Sequence, residues 1–147
     1  MGWVAALKGA LVGLDTAPLI YYIETHPTYL PMVDPFFDAL GRGEFVAVTS
    51  VVTLLEVLVH PIRASDSALA DEYRDLLFNS ATVSTLDVTP PIAEEAARLR
   101  AVYNLRTPDA IQLATAITAS ATHFLTNDAR LKVVSGIQVL VLDELAP

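Results

Sequence analysis

Four carboxylates in this chain sit where a site would need them: Asp15, Glu56, Asp109 and Asp128. Asp15 closes the short apolar run Leu11–Leu14, and Asp128 follows His123–Thr126 through Asn127. Asp109 comes directly after Thr107-Pro108. Glu56 is the odd member, because nothing else between Glu44 and His60 is ionisable. If Thr49–His60 is helical, residues three and four apart share a face, and Thr49, Thr53, Glu56 and His60 form one polar stripe. A buried, unpaired carboxylate is costly, so Glu56 faces solvent or something that requires a negative charge. Carboxylates brought together repel. Two unit charges about 4 Å apart cost about 4 kcal/mol at an effective dielectric of about 20. Either some are protonated or a cation lies between them. Oxygen ligands favour Mg²⁺ or Mn²⁺. Such an ion lowers the pKa of a bound water and stabilises charge on a phosphate, which suits phosphodiester hydrolysis.

Each acid also has a simpler role. Asp15 can cap a helix, Asp109 can complement a helix dipole, Asp128 can make an Asx turn, and Glu56 can sit on a solvated helix face. Their joint placement at one end of a sheet would need several coincidences. His26, His60 and His123 show no metal-ligand spacing, and surface or capping roles are expected for them. There is no Gly-rich phosphate loop and no nucleophile elbow.

The elements that must position these acids alternate. Strands are expected at Leu11–Leu14, Phe45–Val48, Thr82–Leu86, His123–Thr126 and Val139–Leu142. Helices are expected at Thr16–Glu24, Pro31–Leu40, Ser50–Val59, Ser65–Asn79, Pro91–Tyr103 and Pro108–Ala119, with Pro61 stopping the third. Alternation of this kind predicts a three-layer α/β/α sandwich around a mostly parallel sheet. Ligands in such folds bind at the carboxyl ends of the strands, where the strand order reverses.

The 147 residues fit one domain, 1–147, and 53% are hydrophobic, enough for a large core. A net charge of −8 is unusual for a nucleic-acid binder, because phosphate contacts need Lys and Arg. Five of the nine basic residues nevertheless fall late, and Arg106 and Arg130 flank Asp109 and Asp128. A local basic rim can hold RNA phosphates against the global charge. Cysteine is absent, which excludes disulfides and thiolate metal sites. With no signal peptide expected and no apolar run long enough to cross a bilayer, the expectation is a soluble, cytoplasmic protein without a membrane partner.

The segments Leu14-Asp-Thr-Ala-Pro-Leu-Ile-Tyr-Tyr-Ile-Glu24, Leu54-Leu-Glu-Val57, Thr107-Pro-Asp-Ala-Ile-Gln-Leu-Ala114 and Phe124-Leu-Thr-Asn-Asp-Ala-Arg130 resemble those of PIN domains, and of VapC-type toxins of toxin–antitoxin pairs in particular. The resemblance spans about Leu11 to Leu142. It implies a metal-dependent ribonuclease using Mg²⁺ or Mn²⁺, with Asp15, Glu56, Asp109 and Asp128 as its catalytic and metal-binding acids. Thr16 matches the hydroxyl residue after the first acid, and Asn127 a polar residue beside the fourth. It further implies an RNA substrate, a small antitoxin partner and a homodimer. Residues 1–10 depart from the pattern, since many relatives begin close to the first strand. Two alternatives stand beside this reading. One is a PIN-fold scaffold without catalysis. The other is an aspartyl-phosphate phosphatase or receiver domain, against which counts the lack of an acidic pair at the first strand.

Overall fold

The structure is a computed structural model and describes residues 2–145, so the ends of the 1–147 domain assignment lie outside the described residues. Five strands, β1 (Leu11–Leu14), β2 (Val46–Ser50), β3 (Val83–Leu86), β4 (His123–Thr126) and β5 (Gln138–Val141), form one sheet in the order β3-β2-β1-β4-β5. Every pairing is parallel. The chain therefore builds outward from β1 to β3, then returns to the other side of β1 for β4 and β5. The crevice of such a sheet opens between β1 and β4. There the Asp15 amide donates to the Leu125 carbonyl at 3.0 Å.

Six α-helices cover the two faces: α1 (Thr16–Ile23), α2 (Leu30–Gly41), α3 (Val51–Arg63), α4 (Ser67–Asn79), α5 (Pro90–Tyr103) and α6 (Thr107–Thr118). Alternation along the strands divides the core. Val12, Leu14, Ala47 and Leu125 join a cluster with Leu19, Phe36, Val57 and Tyr73 from α1 to α4. Val48 and Phe124 join the opposite cluster with Leu99 of α5 and Leu113 of α6. The three-layer α/β/α expectation holds, and the sheet is wholly parallel. Gly13 faces α6 so closely that a Cβ built on it would lie 2.5 Å from Ala116 Cβ. Three 3₁₀ turns, Trp3–Leu7, Ala129–Val133 and Leu142–Glu144, were not expected.

Two readings need correction. Pro61 does not stop the third helix, which runs on to Arg63. Proline removes one N–H from the helix, and in a last turn the structure tolerates the loss. Nor does Thr49 belong to that helix. It ends β2, and Ser50 caps α3 by accepting the Val52 N–H at 3.1 Å. The capping role expected for His26 is seen, since its Nδ1 accepts from the amides of Thr28 and Tyr29 just before α2.

Apolar surface on the first three helices is uneven. In α1 and α2 the aromatic rings cover one another, as in the Tyr22–Phe37 stack at 4.2 Å. The large exposed apolar side chains concentrate on α3, where Leu55, Val59 and Ile62 are 66%, 45% and 63% exposed. No helix among the described residues is long and apolar enough to cross a membrane.

Candidate active site

All four acids line one open cleft at the carboxyl ends of β1 and β4, with Thr16, Tyr21, Arg106, Thr126 and Asn127 between them. Each arrives by a different local device. Asp15 is the N-cap of α1 and accepts the Thr16 N–H at 2.8 Å. Its other oxygen accepts the Thr126 hydroxyl at 2.7 Å, so the ends of β1 and β4 are joined through the acid itself. Glu56 lies on α3, exposed, with Oε1 accepting the Thr16 hydroxyl at 2.6 Å. Asp109 stands in the first turn of α6. Asp128 caps the 3₁₀ turn after β4 by accepting the Arg130 N–H at 3.0 Å.

The capping roles of Asp15 and Asp128 are thus real, and compatible with a place in the cleft. Electrostatics separate the two. Burial pushes the Asp15 carboxyl up to about 6, against the lowering effect of its bonds from Thr126 and Thr16, and the charges of Asp109 and Glu56 raise it further. Asp128 lies below the usual carboxylate range because Arg130 bonds it.

Of the two arginines expected at a rim, Arg106 lines the cleft and Arg130 lies just beyond Asp128, and both are already engaged. Arg106 Nε donates to Asp109 Oδ2 at 3.0 Å. Arg130 grips Asp128 with two nitrogens, at 3.0 and 2.6 Å. Their side chains are 67% and 72% exposed, free to turn toward solvent. Among the described residues, no group of three or more acidic or histidine side chains is gathered closely enough to hold a metal as arranged. The donor set nevertheless suits one. It is all oxygen, and the repulsion felt at Asp15 from Asp109 and Glu56 is the kind a divalent cation relieves.

The polar stripe expected of Thr49, Thr53, Glu56 and His60 is only partly a wall of the cleft. Thr49 and Thr53 are buried, and Glu56 and His60 are exposed. The threonines belong to a network that sequence reasoning missed, centred on Gln112 of α6. Gln112 Nε2 donates to Thr53 Oγ1 at 2.5 Å and to Thr16 Oγ1 at 3.2 Å, while its Oε1 accepts the Ser50 hydroxyl at 2.6 Å. Thr49 bonds Thr53 at 2.7 Å and the Leu14 carbonyl at 2.8 Å. No buried side-chain polar atom among the described residues is left without a partner. The network ties α1, α3, α6 and β2 together beneath Asp15 and Glu56. Gln112 reaches the network because it stands one turn after Asp109 on the same helix. Asn127 serves as a latch: its Oδ1 accepts the Asp143 N–H at 3.0 Å and its Nδ2 donates to the Tyr21 hydroxyl at 3.3 Å.

Residues 12–137 match the family model of the PIN domain. Among the solved structures that share the fold are three from toxin–antitoxin systems. A toxin–antitoxin complex from Klebsiella pneumoniae is 25% identical, with a TM-score of 0.65, over 91% of this chain and 98% of that one. VapBC2 from Rickettsia felis, bound to a DNA fragment from its promoter, is 15% identical, with a TM-score of 0.70, over 89% and 98%. VapC20 from Mycobacterium tuberculosis, a toxin that cleaves the sarcin–ricin loop, is 15% identical, with a TM-score of 0.70, over 87% and 96%. No curated protein matches the sequence.

Proposed function

The chain belongs to the PIN domain family, and from that premise we propose that it is a metal-dependent endoribonuclease, the VapC-like toxin of a type II toxin–antitoxin pair. The observation that carries the reading is the cleft itself, which carboxylates from four separate elements line together. The likeness to toxin–antitoxin complexes supports the biological role. The whole chain, 1–147, is read as one such domain, working in the cytoplasm beside its antitoxin.

Asp15, Glu56, Asp109 and Asp128 would hold Mg²⁺ or Mn²⁺. When bound, such an ion polarises the phosphate and makes water a better nucleophile. The chain's own contribution is orientation and proton transfer. Thr16 fixes Glu56 through Oε1, which leaves Oε2 to take a proton from the attacking water. Thr126 and the Thr16 amide fix both Asp15 oxygens. Arg106 and Arg130, released from their carboxylates, present guanidinium groups to RNA phosphates on the cleft's rim. Water adds to phosphorus, the P–O bond to the leaving sugar oxygen breaks, and that oxygen takes up a proton.

The test is cleavage of total RNA with Mg²⁺ or Mn²⁺, stopped by EDTA. Glu56→Gln keeps shape and removes the charge. It is expected to lower the cleavage rate at least a hundredfold, on the order of what general-base removal costs, with RNA binding within about twofold of the parent. Equal cleavage by both proteins would remove Glu56 from catalysis.

A further inference from the structure

The cleft continues past Asp109 and Asp128. Behind the two arginine–carboxylate pairs lies a second hollow of about 320 Å³ that shares Arg106, Asp109 and Asp128 with the cleft. Its lining changes character away from the acids. Leu105 and Leu131 are buried there, at 8% and 1% exposure, and Val133 stands at the solvent side, 57% exposed. The Tyr103 side chain completes it. The Tyr103 hydroxyl accepts the Ser135 N–H at 3.2 Å and lies 3.0 Å from Ser135 Oγ, so the ring is tethered rather than loose. At the rim, Asn104 is exposed and caps α5 in the left-handed conformation, φ 56°.

We propose that this hollow is a nucleobase subsite, holding the base of the nucleotide adjacent to the phosphate in the acidic cleft. The proposal rests on the ribonuclease reading and adds to it where the strand runs. An RNA phosphate at the acids carries its neighbouring base about one sugar away, and this hollow adjoins the acids directly. The ligand's chemistry follows from the lining. A base has flat apolar faces and a polar edge. Tyr103 offers a ring on which a face can stack, and the buried Leu105 and Leu131 form the apolar floor beside it. Asn104 and the guanidinium groups of Arg106 and Arg130 offer the edge and the backbone their polar partners. An anion alone gains nothing from the leucines, and a purely apolar group leaves the two arginines and Asn104 without a partner. A nucleotide suits both ends, because its phosphate meets the arginines while its base meets the apolar floor.

The test blocks the hollow without touching its buried floor. Val133→Trp fills the space from the solvent side, and Tyr103→Ala removes the stacking surface. Each is compared with the parent on a short single-stranded RNA that the parent cleaves in Mn²⁺, and on the same RNA carrying one abasic position next to the cleaved bond. In the parent, the abasic position is expected to raise KM about tenfold, the lower part of the range for one stacked base. Each variant is expected to show that loss on intact RNA and no further loss on the abasic RNA. Their kcat and the Mn²⁺-induced rise in Tm are expected to match the parent. If both variants bind intact RNA as the parent does, or if the abasic penalty persists in them, the hollow holds no base and the proposal falls while the ribonuclease reading stands. If the parent cleaves no RNA in Mn²⁺, both fall.

Discussion

Asp15 is where the fold works against its own charge. Its carboxyl titrates near 3.8 in an unperturbed chain and is raised to about 6 here by burial, with Asp109 and Glu56 adding to the effect. The folded state thus favours the proton. The resulting stability is fully present below about pH 4 and is lost as the pH rises through 6. At neutral pH without a cation, the ionised group costs about 3 kcal/mol, since each tenfold change in proton affinity is about 1.4 kcal/mol. Asp15→Asn is therefore expected to raise the Tm of the metal-free protein by several degrees at pH 7.5 and to leave it nearly unchanged at pH 4. Asparagine can still accept the Thr16 N–H and donate to Thr126 Oγ1, so the bonds survive in altered form. Mn²⁺ is expected to raise the parent's Tm and not that of Asp15→Asn, because an ion that binds only the native site stabilises it. Melting curves at both pH values, with and without Mn²⁺, check both statements. The arginines make the opposite case. Arg130 pairs with Asp128 at the surface, where such pairs contribute about 0–1 kcal/mol. Arg130→Ala is expected to strengthen Mn²⁺ binding, by no more than about fivefold, as read by titration calorimetry. That the four acids meet at one cleft was legible in the sequence, because three lie just past a strand or at a helix start and the fourth stands alone in an apolar run. Gln112 was not. A glutamine in an Ala- and Thr-rich helix is an ordinary surface residue until the facing threonines of α1 and α3 are known.

At the level of elements, the six helices and five strands are readable from period and capping signals, because each has an apolar face and a Ser, Thr, Asp, Gly or Pro near an end. The 3₁₀ turns are not, since five residues or fewer leave no period to detect. Strand order was also hidden. Alternation predicts a parallel sheet but does not say that β1 lies between β2 and β4, and that order is what brings Asp15 to Asp128. Gly13 is the point of close approach in this arrangement, for it lets α6, which carries Asp109 and Gln112, lie against β1. In Gly13→Ala the new methyl group would approach Ala116 Cβ to 2.5 Å and the Phe124 ring to 2.8 Å, so something must shift. The expected cost is about 1–3 kcal/mol, measured by urea unfolding. Activity is expected to fall further than stability alone explains, because the displaced helix carries part of the site.

Over the whole molecule, the outer face of α3 is the main apolar surface beside the cleft. Leu55, Val59 and Ile62 recur at helical spacing and border a shallow groove with Arg63. That pattern fits the expected homodimer or antitoxin contact better than solvent does. The double variant Leu55→Asp/Ile62→Asp is expected to keep its folding stability within about 1 kcal/mol, as exposed substitutions do. It is expected to remain monomeric in light scattering at concentrations where the parent is a dimer. A parent that is monomeric at high concentration would leave that face to the antitoxin alone. The sheet order has one more consequence, felt while the chain is being made. Asp15 emerges early from the ribosome, but Thr126, which fixes its carboxylate, follows 111 residues later. At about 5–20 residues per second, that interval is on the order of ten seconds. A nascent chain thus has no complete acidic cleft until its last strands are released, and the proposed nuclease site cannot assemble while the first hundred residues are still being translated.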